Sequence, residues 1–196
     1  MVSREEGTFM NARQQKLFRV QYLPQGDPCA LVVFHTGIGE HVARYDHVFV
    51  RMAAAGLAVY AYDVHGQGKS EPKEAKYRCY VHDFEDLPIP WRPCQLHGIR
   101  TQPRHLFRCQ APLGNCLAGC VPFAKIVPAV RPADMSQDPQ VVREYLEDPL
   151  NYVDDVKART GNEVLKGFKA MQKLRRKISV PLYACHGTMD RCTSLQ

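Results

Sequence analysis

Two short, unbroken apolar runs stand out early in the sequence, Ala30-Leu-Val-Val-Phe-His35 and Leu57-Ala-Val-Tyr-Ala-Tyr62. Continuous apolar runs of this length, without alternation, predict strands covered on both faces, as in a parallel sheet. Between them Val42, Tyr45, Phe49, Met52 and Ala53 recur at helical spacing, and Gly56 supplies the stop. Strand, helix and strand in this order predict a βαβ unit with a right-handed crossover. Upstream, Lys16-Leu-Phe-Arg-Val-Gln-Tyr22 alternates in part and predicts an early strand on an antiparallel edge. Downstream, Asp138 followed by Pro139 predicts a helix start, with Val142, Tyr145 and Leu146 on one face. Thr160-Gly-Asn-Glu163 fits a capping box heading the stripe Val164, Leu165, Phe168, Met171 and Leu174. Ile178–Cys185 then reads as another buried strand, running into His186-Gly-Thr-Met-Asp190. The pattern is α/β, and 196 residues are expected to form a single domain with a sizeable core.

One segment breaks the pattern. Residues 88–120 carry Pro88, Pro90, Pro93, Pro103 and Pro112, a density that opposes long helices and central strands, so an irregular stretch is expected. The net charge of +6 resides in the same neighbourhood. Between Leu87 and Ala133 there is no Asp or Glu, while Arg92, Arg100, Arg104, Arg108, Lys125 and Arg131 are present. Without those six, the 26 basic residues fall to 20, the number of the acidic ones. The basicity is local, and no nucleic-acid partner is expected. Of eight cysteines, Cys94, Cys109, Cys116 and Cys120 fall in this window as well. Cys116 and Cys120 with His97 and His105 are the one candidate zinc set, but their spacing matches no pair of C-x-x-C arms, so no metal site is assigned. The polar N-terminus lacks a signal-like apolar stretch, and no run reaches the ~18 residues of a membrane span. Reduced thiols and a cytoplasmic location are the expectation.

Gly66-Gln-Gly-Lys-Ser70, after a strand, invites comparison with a phosphate-binding loop. That pattern needs a glycine at position 63, where Asp63 stands, so a glycine-rich turn closing the strand is expected instead. A different set of residues carries a family resemblance. His35-Thr-Gly-Ile-Gly-Glu-His-Val-Ala-Arg-Tyr45 resembles the H-G-x-G-E-H-x-x-R-Y loop of the monoacylglycerol lipase and lysophospholipase group of α/β-hydrolases, which includes serine aminopeptidase-like members. Ala61–Ser70 is similar to its Y-D-x-x-G-H-G-x-S turn, and Tyr80-Val-His-Asp-Phe84 to its G-Y-V-x-D-F stretch. Asp148-Pro-Leu150, then Lys177–Leu182 with His186-Gly-Thr-Met-Asp190, resemble the later D-P-L and the strand carrying H-G-x-x-D. The five motifs occur in the family's order over residues 7–87 and 121–196.

The resemblance implies an α/β-hydrolase fold, a mostly parallel sheet flanked by helices. It implies a serine hydrolase acting on acyl esters through a Ser–Asp–His triad, with no cofactor and no metal. Asp190 takes the place of the triad acid, and the backbone N–H of Ile38 takes the place of an oxyanion donor. Val121–Val130 falls where the family carries its cap, so residues 121–176 are expected to be cap-like and to offer peripheral membrane contact. The chemistry further requires a serine on a G-x-S-x-G elbow. Ser3, Ser70, Ser136, Ser179 and Ser194 all lack the flanking glycines, and none lies between Ser70 and Ser136, where the family places its nucleophile. Gly114-Asn-Cys-Leu-Ala-Gly119 resembles an elbow with cysteine replacing serine, which makes Cys116 the candidate substitute and Leu117 the candidate second oxyanion donor. The family's histidine is expected beyond the strand after Asp190, further along than the six residues that follow it. The expectation is therefore an incomplete hydrolase scaffold without ester hydrolysis. The alternative is a non-catalytic protein that binds an acyl ester or other lipid small molecule on the same fold.

Overall fold

Apolar residues on alternate positions of Lys16–Leu23 (β2) and on both faces of Leu57–Tyr62 (β4) give the molecule its first layer. The computed structural model describes residues 1–86 and 113–174, together with 181, 183, 185, 187 and 188. These group into two compact units, one of Met1–Cys79 with Leu150–Tyr152 and one of Tyr80–Pro149 with Val153 onward.

In the first unit, Ser3–Met10 (β1), β2, β4 and Ala30–His35 (β3) form a four-stranded sheet in the order β1-β2-β4-β3. The β1–β2 and β2–β4 pairings are antiparallel, and β3–β4 is parallel from Ala30↔Leu57 to His35↔Tyr62. The expected βαβ unit is present: a short 3₁₀ turn, Val42–Tyr45, leads into Asp46–Ala54 (α1), and Gly56 at φ +91° ends it. Only glycine takes that left-handed geometry without strain. Phe18, Val20, Tyr22, Val42, Phe49, Ala53, Val59 and Ala61 make the core, and the Phe34 ring packs 4.8 Å from that of Phe49.

Two expectations are corrected here. β2 is an interior strand, because the polar Ser3–Met10 segment pairs along its whole length and becomes the edge. Ion pairs from Arg19 to Glu5 and from Arg4 to Glu6 decorate that edge, which blunts it against further pairing. β3, expected to be covered on both faces, ends the described sheet, and Leu31 is 67% exposed. An apolar run reports the capacity for burial, whereas burial itself depends on a neighbour.

In the second unit, Gly114–Cys120 (α2) lies inside the stretch expected to be irregular. The reason is local, since no proline occurs between Pro112 and Pro122. Lys125–Val127 (β5) pairs antiparallel with Val156–Lys157 (β6). Between them come Pro132–Met135 (α3) and Pro139–Glu147 (α4). Asp138 caps α4 as expected, its carboxylate accepting the Gln140 N–H at 2.8 Å, and Tyr145 is the buried side chain of the helix while Leu146 stays exposed.

Ala158–Leu174 (α5) begins two residues before the expected capping box. Thr160 is fully buried within the helix, and its hydroxyl accepts the Val81 N–H at 2.9 Å instead of capping. Glu163 pairs with Arg159 at 3.3 Å and with Lys166 at 2.9 Å. The face α5 buries is small and polar, Ala158, Thr160, Asn162, Glu163 and Gly167, while Val164, Leu165 and Phe168 are half-buried. Thr160→Val keeps the shape, removes the acceptor for Val81, and is expected to cost about 1–2 kcal/mol in denaturant unfolding. The strand expected at 178–185 and residues 88–112 lie outside the described residues. Among the described residues no helix is long and apolar enough to cross a membrane.

Candidate active site

The loop after β3 and the turn after β4 meet through one buried carboxylate. Asp63 ends β4 and is 1% exposed. One of its oxygens accepts the Val42 N–H at 2.7 Å and the other the Lys69 N–H at 2.7 Å. Burial pushes the Asp63 carboxyl up, against those two amides and the nearby Lys69 and His41 charges, which pull it down. Ser70 closes the turn: its hydroxyl donates to the Asp63 carbonyl at 2.7 Å and accepts the Phe18 N–H at 2.8 Å. The resulting turn needs glycines. Gly68 has φ +49°, and a Cβ there would lie 2.1 Å from the Asp63 carboxylate.

This geometry bears out the turn in place of a phosphate loop. The Gly66, Gln67, Lys69 and Ser70 N–H groups donate to Glu71 O, Val64 O, the Asp63 carboxylate and Gln67 O, so they are spent within the turn. Lys69 Nζ sits 3.1 Å from Glu6.

The Thr36–His41 loop itself is held at Gly39 from both sides. Gly39 N–H donates to the Gln67 side-chain oxygen at 2.6 Å, and its carbonyl accepts the Tyr152 N–H at 2.9 Å. Arg78 ties Leu150 O at 3.0 Å to Gly68 O at 2.9 Å, so Leu150–Tyr152 is laced to the same turn. Glu40 accepts from the Tyr45 hydroxyl at 2.6 Å, and burial raises the Tyr45 phenol well above its ordinary range. Ile38, between these braces, is 42% exposed. The arrangement gives a loop with fixed peptide planes, the requirement for a preorganised donor.

His35 precedes the loop. Its Nδ1–H donates to Thr36 O at 2.6 Å, and burial lowers its pKa to about 4 despite that bond. The sign of the pH dependence follows. Unfolded, the ring takes a proton near 6.5, while folded it stays neutral down to about 4, so stability is full above 6.5 and is lost as pH falls toward 4. One proton over that window corresponds to about 3 kcal/mol, and the ring's partial exposure trims it to about 2 kcal/mol. Guanidinium unfolding at pH 7.5 and pH 4.5 reads this loss, and His35→Gln removes that part of the slope.

The remaining candidates belong to the second unit or lie outside the described residues. Cys116 is the third residue of α2 and exposed, and the positive-φ non-glycine residues among those described are Gln14 and Cys79 alone. A nucleophile elbow places its residue on a strained strand-to-helix turn, and Cys116 lies two residues inside a helix. Leu117 follows it there. Asp190, His97 and His105 lie outside the described residues, and among those described no three His, Cys, Asp or Glu side chains group as a metal site. The sequence reading passed over Gln67, whose role comes from a contact across 28 residues that only the fold brings about.

The sequence matches the family described as serine aminopeptidase, S33, over residues 26–88 and 98–196. It is 37% identical to Homo sapiens monoglyceride lipase over 219 aligned positions, covering 93% of this chain and 72% of that protein. Identity to Mycolicibacterium smegmatis monoacylglycerol lipase is 28% over 224 positions, covering 96% and 80%. The fold is similar to that of a soluble variant of Saccharomyces cerevisiae monoglyceride lipase, with a TM-score of 0.64 at 15% identity over 90% of this chain and 71% of that one. A likeness to Paleococcus ferrophilus monoacylglycerol lipase has a TM-score of 0.59 at 20% identity over 80% and 72%. With motifs, loop geometry and relatives in agreement, the chain is an α/β-hydrolase of the monoacylglycerol lipase family.

Proposed function

We propose that this chain holds the acyl group of a monoacylglycerol-like ester at the Thr36–His41 loop and does not cleave it. The lipid class comes from the relatives, which are named for monoacylglycerol and monoglyceride hydrolysis. The absence of cleavage rests on one observation, the fate of the serines. No serine lies between Ser70 and Ser136, the interval in which the family carries its nucleophile. Ser70 is 1% exposed, and its hydroxyl is engaged as both donor and acceptor. Ser136 follows α3 and accepts the Asp138 N–H at 3.1 Å. Among the described residues neither hydroxyl donates to a histidine or carboxylate that could act as its general base.

Within this reading Ile38 supplies the oxyanion donor, and Asp190 keeps the place of the acid. Cys116 is the substitute nucleophile to be tested, since it carries a thiol between Gly114 and Gly119. Val121, Val130, Met135, Val141 and Leu146 are exposed apolar side chains of the cap-like stretch, and they support peripheral contact with a lipid surface. The test is covalent: a fluorophosphonate probe is expected to label no residue stoichiometrically. Labelling of one serine overturns the reading, and modification at Cys116 assigns the attack to that thiol instead.

A further inference from the structure

Gln67 has one half of its carboxamide in use and the other half idle. The residue is 2% exposed. Its oxygen accepts the Gly39 N–H at 2.6 Å, and because that partner is a donor, the orientation of the amide is forced by chemistry. The –NH₂ group, Nε2, is buried and has no hydrogen-bond partner among the described residues. Amide geometry puts Nε2 roughly 2.3 Å from the oxygen, so a two-proton donor stands beside the oxyanion loop. Buried donors without acceptors are rare, and each calls for an explanation.

The family pattern has histidine at this place in its G-H-G turn. An imidazole that accepts from Gly39 through one nitrogen would point its other nitrogen to the far side of the ring. A carboxamide carries acceptor and donor side by side. The second oxyanion donor of the family comes from the residue after the nucleophile, and here that residue, Leu117, follows a cysteine within a helix. Side-chain amides serve as oxyanion donors elsewhere in enzymes.

We propose that Gln67 is the side-chain donor of this chain's oxyanion site: its oxygen fixes the Gly39 peptide, and its –NH₂ meets the carbonyl oxygen of the bound acyl ester alongside the Ile38 N–H. This deepens, and rests on, the reading that the loop binds an acyl ester.

The test compares two lipids that differ only in that oxygen, 1-oleoylglycerol and its ether analogue 1-O-oleylglycerol, titrated calorimetrically below their aggregation concentrations. The intact protein is expected to bind the ester about five- to tenfold more tightly than the ether, the worth of one good hydrogen bond. Gln67→Met removes both functions and is expected to cut that preference to the part the Ile38 N–H supplies, with the ether titration reading any loss from the freed Gly39 peptide. Gln67→Glu keeps an acceptor for Gly39 and replaces the donor, so it too reduces the preference while the Gly39 amide proton stays downfield in the ¹⁵N spectrum. That second variant separates loss of the donor from loss of the loop. Equal binding of ester and ether by the intact protein, or a preference undiminished in Gln67→Glu, overturns the assignment of Gln67 alone. Failure of both lipids to bind overturns the acyl-binding reading beneath it.

Discussion

Gly68→Ala is expected to destabilise the protein by about 4 kcal/mol or more. The added Cβ would lie 2.1 Å from the Asp63 carboxylate and 2.7 Å from His41 Cβ, at a backbone φ of +49°. Neither neighbour is free to yield. Asp63 is fixed by the Val42 and Lys69 amides, and His41 Cβ belongs to the buried start of the 3₁₀ turn. The left-handed conformation alone costs about 1 kcal/mol for a side chain, and a buried clash of this depth raises the total to about 4 kcal/mol or more. Since domains of this size are stable by about 5–15 kcal/mol, such a loss takes a large share of the margin. Circular dichroism and a denaturant series on Gly68→Ala measure the effect directly. A loss under about 1 kcal/mol would show that the turn relaxes and that its geometry is not tightly determined. The companion position is milder: Gly26 also has positive φ but nothing within 4 Å of a Cβ, so Gly26→Ala should cost only the conformational part.

The second large effect is expected at Asp63→Ala, a loss of about 3–5 kcal/mol. Removing the carboxylate orphans two amide donors, Val42 N–H and Lys69 N–H. Each buried, unsatisfied donor costs about 1–3 kcal/mol, and the emptied space adds a cavity term. The two donors lie at the start of the 3₁₀ turn before α1 and in the turn after β4, so the substitution loosens the support of the Thr36–His41 loop. Loss of the Gly39–Gln67 bond should follow, visible as upfield movement of the Gly39 amide proton at temperatures where the variant remains folded. Asp63→Ala with wild-type stability and an unmoved Gly39 resonance would remove the carboxylate from the account.

What the sequence made legible was what local chemistry decides. β3, β4, α1 and the Gly56 stop were readable because an apolar run, a 3.6-residue stripe and a glycine at φ +91° each act within a few residues. β1 was invisible for the converse reason. Ser3-Arg-Glu-Glu has no apolar period, and its strand conformation comes from eight pairings with β2 and cross-strand charges such as Arg19 with Glu5. Thr160 and Glu163 satisfied the spacing of a capping box, yet Val81 N–H, 79 residues away in sequence, competed for the threonine hydroxyl. The site divides in the same way. The Thr36–His41 loop and the Asp63 turn were recognisable as motifs, whereas the use of Gln67 as a brace and the docking of Tyr152 on Gly39 depend on contacts over 28 and 113 residues that no window of sequence contains.

On the proposed reading a family scaffold persists here without its attacking group, and the same division accounts for that. The elements described from β1 to the Asp63 turn interlock through their own hydrogen bonds, from Phe18 N–H on Ser70 to Gly39 on Gln67. None of these bonds uses a nucleophile.

The most direct test is to incubate the purified 196-residue chain with 1-oleoylglycerol and follow free oleate by mass spectrometry. We expect oleate to accumulate no faster than in heat-denatured protein or buffer, with the protein mass unchanged. Sustained release of oleate with turnover, abolished by a single serine or cysteine substitution, would contradict the account by revealing an attacking group that the sequence and the described structure do not supply.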